Sequence, residues 1–194
     1  MAINLQKGQR VALDSSLKYA LVGLGWDTKK YSGGADFDLD ASAFLLGEDD
    51  KLLRDEDFVF YNNLKGRGGA VTHTGDNLTG AGDGDDETIM IGFDKIPDEI
   101  KKIVICVTIH DAQTRHQNFG QVSNAYIHIA KMKSEFDTCG EEVLHYDLAE
   151  DYSVETSLIV AEIYRKDGGW KFNAVGQGIK GGLEALVRGF GGNV

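Results

Sequence analysis

Short runs of alternating apolar and polar residues recur along most of this chain, and that spacing constrains the fold more than any other feature. Tyr19–Trp26, Phe37–Phe44, Phe58–Tyr61, Thr88–Phe93, Lys102–Ile109, Tyr126–Ala130, Val143–Leu148, Ser157–Tyr164 and Trp170–Val175 all read as strands. Their period of two puts successive side chains on opposite faces. Asp167-Gly168 joins the last two as a hairpin turn. Helical spacing is scarce. Ile96–Lys101 reads as one helical turn with Pro97 near its start, and Gly182–Phe190 as a short helix near the C-terminus. Closely spaced strands without intervening helices predict a mainly β fold: an antiparallel β-sandwich with a few short helices. No linker or repeat divides the chain, so residues 1–194 are expected to form a single domain.

Composition agrees. Hydrophobic residues make up 42% of the 194, enough for a substantial core, and there are 25 glycines against one proline. Of 31 acidic residues, 20 are Asp, which prefers turns and caps to helix interiors. The net charge of −11 excludes the electrostatic footprint of a nucleic-acid or anionic-membrane binder. The longest apolar run, Lys102–Ile109, is too short to span a bilayer, and the N-terminus lacks a signal-peptide pattern. Two cysteines, one of them (Cys106) inside an apolar strand, make no disulfide framework. A cytoplasmic setting is expected.

Charge is concentrated. Residues 27–87 hold 15 acidic and 6 basic side chains, and Ser32–Asp50 and Gly68–Asp94 hold no Lys or Arg at all. In Asp36-Phe37-Asp38-Leu39-Asp40-Ala41, strand alternation puts three carboxylates on one face, about 7 Å apart, and the apolar residues on the other. A second acidic stretch, Thr74 to Glu87, interleaves Asp76, Asn77, Asp83, Asp85, Asp86 and Glu87 with glycines that allow tight turns. Uncompensated carboxylates favour a cation, and so many hard oxygens suit Ca²⁺ with its 6–8 ligands better than Mg²⁺. The stretch is not an EF-hand, because Leu78 and Gly80 occupy positions where oxygen ligands belong.

Other motifs carry less. Gly176-x-Gly178-x-x-Gly181 leaves too little chain after it for a dinucleotide fold and reads as a strand-to-helix turn. His110, Asp111, His116 and Asn118 lack zinc spacing, although Asp111 and Asn118 could add oxygens to the acidic region. His73 reads as an ordinary strand residue, and Glu162 as a buried, hydrogen-bonded carboxylate on an apolar strand.

Several segments resemble the TerD family of tellurium-resistance and general-stress proteins: Val22-Gly-Leu-Gly-Trp-Asp27, Asp36 through Phe44, Phe60-Tyr-Asn-Asn-Leu64, His73 through Gly80 with Gly84-Asp-Asp-Glu87, Ile109-His-Asp-Ala112, Phe119-Gly-Gln-Val122, Trp170-Lys-Phe and Val175-Gly-Gln-Gly178. The resemblance runs from Asn4 to about Gly191. It implies a bacterial β-sandwich binding two Ca²⁺ ions, without firm enzymatic activity, acting as a scaffold or sensor in resistance to tellurite, phage or other stress. The metal ligands it implies are Asp27, Asp36, Asp38, Asp40, Asp76, Asn77, Asp83, Asp85, Asp86 and Glu87, with the carbonyls of Leu78 and Gly82. Expected partners are other stress-response or Ter-type proteins and a membrane-associated complex. The rival readings are a metal-assisted enzyme (tellurite reductase or hydrolase) and a small-ligand or nucleotide module.

Overall fold

The computed structural model describes residues 2–27, 37–75, 85–137, 140–148 and 154–193. Within them the strands in chain order are β1 (Ile3–Leu5), β2 (Arg10–Ala12), β3 (Tyr19–Asp27), β4 (Leu39–Leu46), β5 (Phe58–Val59), β6 (Lys65–Gly66), β7 (Val71–His73), β8 (Glu87–Gly92), β9 (Lys102–Ile109), β10 (Ser123–Met132), β11 (Glu141–Asp147), β12 (Ser157–Lys166) and β13 (Gly169–Ile179). Two short helices, α1 (Ala112–Arg115) and α2 (Gly182–Gly189), complete them.

The strands form two sheets. One runs β1-β11-β10-β3-β8-β7-β6 and the other β2-β13-β12-β9-β4-β5. The mainly β, two-sheet architecture with a helix near the C-terminus is the one expected. One detail differs from an all-antiparallel sandwich: β1 pairs with β11 in parallel. More than a hundred residues separate the two strands, so no tight turn dictates their direction. Ile96–Lys101 also differs. Ile96 is extended (φ −74, ψ 119), and Ile100 N–H donates to the Pro97 carbonyl at 3.1 Å in a turn. Proline disfavours the helical conformation in the residue before it, and β9 begins too soon for a helix to develop.

The main core lies between the sheets. Val22, Leu24, Ile89, Ile91, Ile127, Ile129 and Leu144 from one sheet meet Leu39, Ala41, Ala43, Leu45, Ile103, Ile105, Val107, Leu158 and Ile163 from the other. A second core covers the outer face of the six-stranded sheet, where Leu186 and Val187 of α2 pack on Phe44, Leu46, Val104 and Cys106. β4 is therefore buried on both faces along its whole length. The turn between β12 and β13 places Asp167 and Gly168 at φ 55 and 77, as a two-residue hairpin with that hand of twist requires.

Phe44 is fully enclosed, stacked on Phe58 at 4.5 Å and tilted against Phe190 at 4.7 Å. Phe44→Ala empties the space under α2 and is expected to cost about 3–5 kcal/mol in urea unfolding.

Candidate metal-binding end of the sandwich

β3 and β9 end, and β4, β8 and β10 begin, at one end of the sandwich, so the register brings the two acidic stretches of the sequence together. Leu24 of β3 pairs with Glu87 at the start of β8, Asp27 pairs with Ser123 at the start of β10, and Leu39 of β4 pairs with Ile109. Contact between the sheets is direct here, because the Ala41 N–H of β4 donates to Glu87 Oε2.

Asp38 and Asp40 flank Leu39, whose side chain enters the main core, so their own side chains lie on the opposite face. That alternation matches expectation, but the face is not a solvated one: each aspartate is only 5% exposed. Its own sheet continues into the surface that α2 covers, which the local sequence around residue 40 does not foretell. Arg115 Nη1 stands 3.8 Å from Asp38 Oδ2, and His110 Nδ1 stands 3.6 Å from Asp40 Oδ2. The chain is pinned at this point because His110 N–H donates to the Asp38 carbonyl at 2.9 Å.

Asp85, Asp86 and Glu87 are neighbours in sequence that go to three different places. Both oxygens of Asp85 lie 2.8 Å from His128 Nε2, and the Tyr126 hydroxyl donates to Asp85 Oδ1 at 3.4 Å. This arrangement needs Gly23, because a Cβ there would stand 2.3 Å from both Asp85 and His128. Burial, and next the charge of Asp85, pushes the Tyr126 phenol up to about 12. Asp86 turns inward along the backbone and accepts the Trp26 N–H at 3.1 Å. Glu87, 2% exposed, enters the space between the sheets, where His73 Nε2 stands 3.6 Å from Oε2. Gly75 N–H donates to His73 Nδ1 at 3.2 Å, which leaves the ring proton on Nε2, facing Glu87. His73 is thus a buried partner of a predicted ligand rather than an ordinary strand residue.

Of the remaining predicted ligands, Asp27 is the last residue of β3. Asp36, Asp76, Asn77, Leu78, Gly82 and Asp83 lie outside the described residues. Asp111 follows the end of β9 and lines one pocket with Asp40 and His110, opening α1 in the left-handed conformation (φ 50) with its side chain 66% exposed. The Asn118 N–H is taken by the Gln121 side chain in a local cap. Glu162 is hydrogen-bonded by Asn173 Nδ2 at 3.0 Å, as expected, but its side chain is 27% exposed rather than buried. Gly176–Gly181 is a strand end and helix entry, with Gly181 and Gly182 at φ 119 and 66. Among the described residues, no three His, Cys, Asp or Glu side chains already surround a point at ligating distance.

Residues 1–190 match the TerD domain. The chain belongs to the TerD family. It is 52% identical to the tellurium resistance protein TerD of Serratia marcescens and 50% identical to general stress protein 16U of Bacillus subtilis, each alignment covering 98% of both chains. The crystal structure of a homologue of telluride resistance protein (TerD) from Streptomyces coelicolor superposes with a TM-score of 0.71 at 23% identity, covering 89% of this chain and 95% of that one. The TerD sandwich found there is the fold described above. Among the described residues, no helix is long and apolar enough to cross a membrane.

The buried TerD-domain carboxylate Glu87 gives a direct test of this end. Glu87→Ala leaves the Ala41 N–H without its acceptor, whereas Glu87→Gln keeps one. In chelator-treated protein, urea unfolding is expected to show Glu87→Ala less stable than Glu87→Gln by about 1–3 kcal/mol.

Proposed function

We propose that this protein is a calcium-binding, non-enzymatic stress protein that contributes to resistance against tellurite and other chemical or phage stress as a scaffold or sensor. The observation that carries this reading is the convergence of buried carboxylates at one end: Asp38 and Asp40 at 5% exposure and Glu87 at 2%, beside the two points where the acidic stretches leave and rejoin the sandwich. Burying carboxylates is costly unless a cation or hydrogen-bond donors compensate. The resistance and stress names of relatives at 50–52% identity support the physiological half of the proposal.

The proposed ligands are Asp27, Asp36, Asp38, Asp40, Asp76, Asn77, Asp83, Asp86 and Glu87, with the carbonyls of Leu78 and Gly82. Asp85 belongs to the set as well: His128 Nε2 stands 2.8 Å from both of its oxygens but supplies one proton, and the carboxylate keeps lone pairs for a cation. The donors are all hard oxygens, the chemistry Ca²⁺ takes. A backbone amide on one oxygen of Asp86 or Glu87 does not bar a cation from the carboxylate, which offers about four lone-pair directions. Two ions are proposed, as the family resemblance implies; one ion could draw in two neighbours from a row of aspartates about 7 Å apart, but hardly all three. The cytoplasm is the proposed location, with other stress-response or Ter-type proteins as partners.

Chemistry by the Cys106 thiol is disfavoured: burial pushes its pKa well up, keeping it protonated.

Calorimetric titration of chelator-stripped protein with Ca²⁺, against Mg²⁺, tests the reading. About two Ca²⁺ with a weak Mg²⁺ response are expected, and Asp38→Asn and Asp40→Asn should each weaken binding by about tenfold or more. Calcium at 100 times Kd should then add about 2.7 kcal/mol to unfolding stability. Absent calcium binding, or unchanged affinity in both variants, overturns the assignment.

A further inference from the structure

A second group of titratable side chains lies on the outer face of the seven-stranded sheet and meets this end only through Asp85. His128 of β10 and His145 of β11 are direct cross-strand partners. Ile127 and Ile129 enter the main core, so His128 between them faces outward. The chain of contacts alternates acid and imidazole: Asp85, His128, Glu142, His145, Asp147. His128 Nε2 is held by Asp85 at 2.8 Å, and His145 Nε2 by Asp147 at 3.0 Å. Tyr126 stacks on the His145 ring, with centroids 5.3 Å apart and planes at 21°.

A carboxylate at each Nε2 favours the neutral tautomer that carries its proton there. An imidazole whose Nε2–H donates to a carboxylate presents a lone pair at Nδ1, the arrangement by which aspartates orient metal-ligating histidines. Both Nδ1 atoms face the same carboxylate: His128 Nδ1 is 3.3 Å from Glu142 Oε2, and His145 Nδ1 is 3.4 Å from Glu142 Oε1. His128 Nδ1 is also sealed from solvent and makes no hydrogen bond. Lone pairs set against a carboxylate repel unless a cation stands between them. Glu142 thus offers one oxygen to each ring, at separations close to the roughly 3.4 Å between neighbouring ligand atoms of a tetrahedral ion with bonds of about 2.1 Å. Three carboxylates around two imidazoles supply the negative charge that a divalent ion would offset.

We infer that His128, His145 and Glu142 form a binding site for a divalent transition-metal ion of the zinc type, separate from the oxygen-rich end. Imidazole nitrogen selects such an ion over Ca²⁺, which takes oxygen. As they stand, the three do not enclose one point at ligating distance. Glu142, with its side chain 42% exposed, and His145, 25% exposed, have room to rotate inward. A proton is the competing cation. Burial opposes charging His128, but the hydrogen bond to Asp85 and the charges of Asp85 and Glu142 outweigh it and raise its pKa. The same carboxylates attract a metal ion.

The test is calorimetric titration of the chelator-stripped full chain with Zn²⁺ in excess Ca²⁺. One Zn²⁺ per chain is expected, weakened by about tenfold or more in both His145→Gln and Glu142→Gln. Imidazole ¹⁵N spectra should show the Nδ1 signals of His128 and His145 shifting on Zn²⁺ addition, with Nε2 still protonated. Asp38→Asn should leave Zn²⁺ binding intact, so loss of the calcium reading and loss of this one are distinguishable. No Zn²⁺ binding, binding undiminished in His145→Gln, or binding lost in Asp38→Asn overturns the inference.

Discussion

Glu87 sits fully enclosed between the two sheets and takes the amide proton of Ala41, joining β8 of one sheet to β4 of the other. The hydrogen bond falls where β4 extends beyond its short partner β5, whose register covers only Ala43 and Phe44. The Ala41 amide would otherwise be a buried donor without a ladder partner, a state costing about 1–3 kcal/mol. One carboxylate thus closes the open edge of the six-stranded sheet and fixes the distance between the sheets at the acidic end. The positions of Asp38, Asp40 and Asp86 follow from that closure, since each lies within three residues of one of the two bonded groups.

The divergence of Asp85, Asp86 and Glu87 has a simple origin. A strand sends alternate side chains to opposite faces, so Asp85 and Glu87 could share a face only if the chain were regular through all three residues. β8 begins at Glu87, and Asp85 precedes it. The Asp86 N–H already donates to the Leu24 carbonyl, while the residue before it is released from the ladder and folds over Gly23 to reach His128. Gly23 and Gly25 together keep the outer surface of β3 bare, and the space is taken by Asp85, His128 and the Tyr126 ring. The Val22-Gly-Leu-Gly-Trp26 stretch therefore presents apolar side chains inward and a flat floor outward.

Much of this architecture is legible in the sequence where strands are long. β9 matches its predicted bounds, and β3, β8, β12 and β13 differ by a few residues, because six or more alternating positions leave little ambiguity of period. β1, β2, β6 and β7 have two or three residues each, too few to show a period at all. Asp40 is predicted on the correct face, but its burial is not legible there, since what covers that sheet is α2, some 140 residues further along. Burial by a distant element leaves no local trace. The histidine pair is similar. His128 and His145 each stand at the polar position of an alternating run, an unremarkable solvent-facing place, and only the β10–β11 register sets them opposite one another.

The same protein thus holds carboxylates in two chemical settings. At the end of the sandwich, Glu87 meets the Ala41 amide, Asp38 an arginine at 3.8 Å and Asp40 a histidine at 3.6 Å. On the outer face, Asp85, Glu142 and Asp147 alternate with imidazoles. Hardness separates the two: oxygen donors hold a cation through charge and flexible coordination, while imidazole nitrogens demand direction and a softer ion. Asp85 stands at the boundary, one of the oxygen-rich set and hydrogen-bonded into the nitrogen-bearing set. Asp85, just ahead of β8, is consequently anchored to β10 through His128.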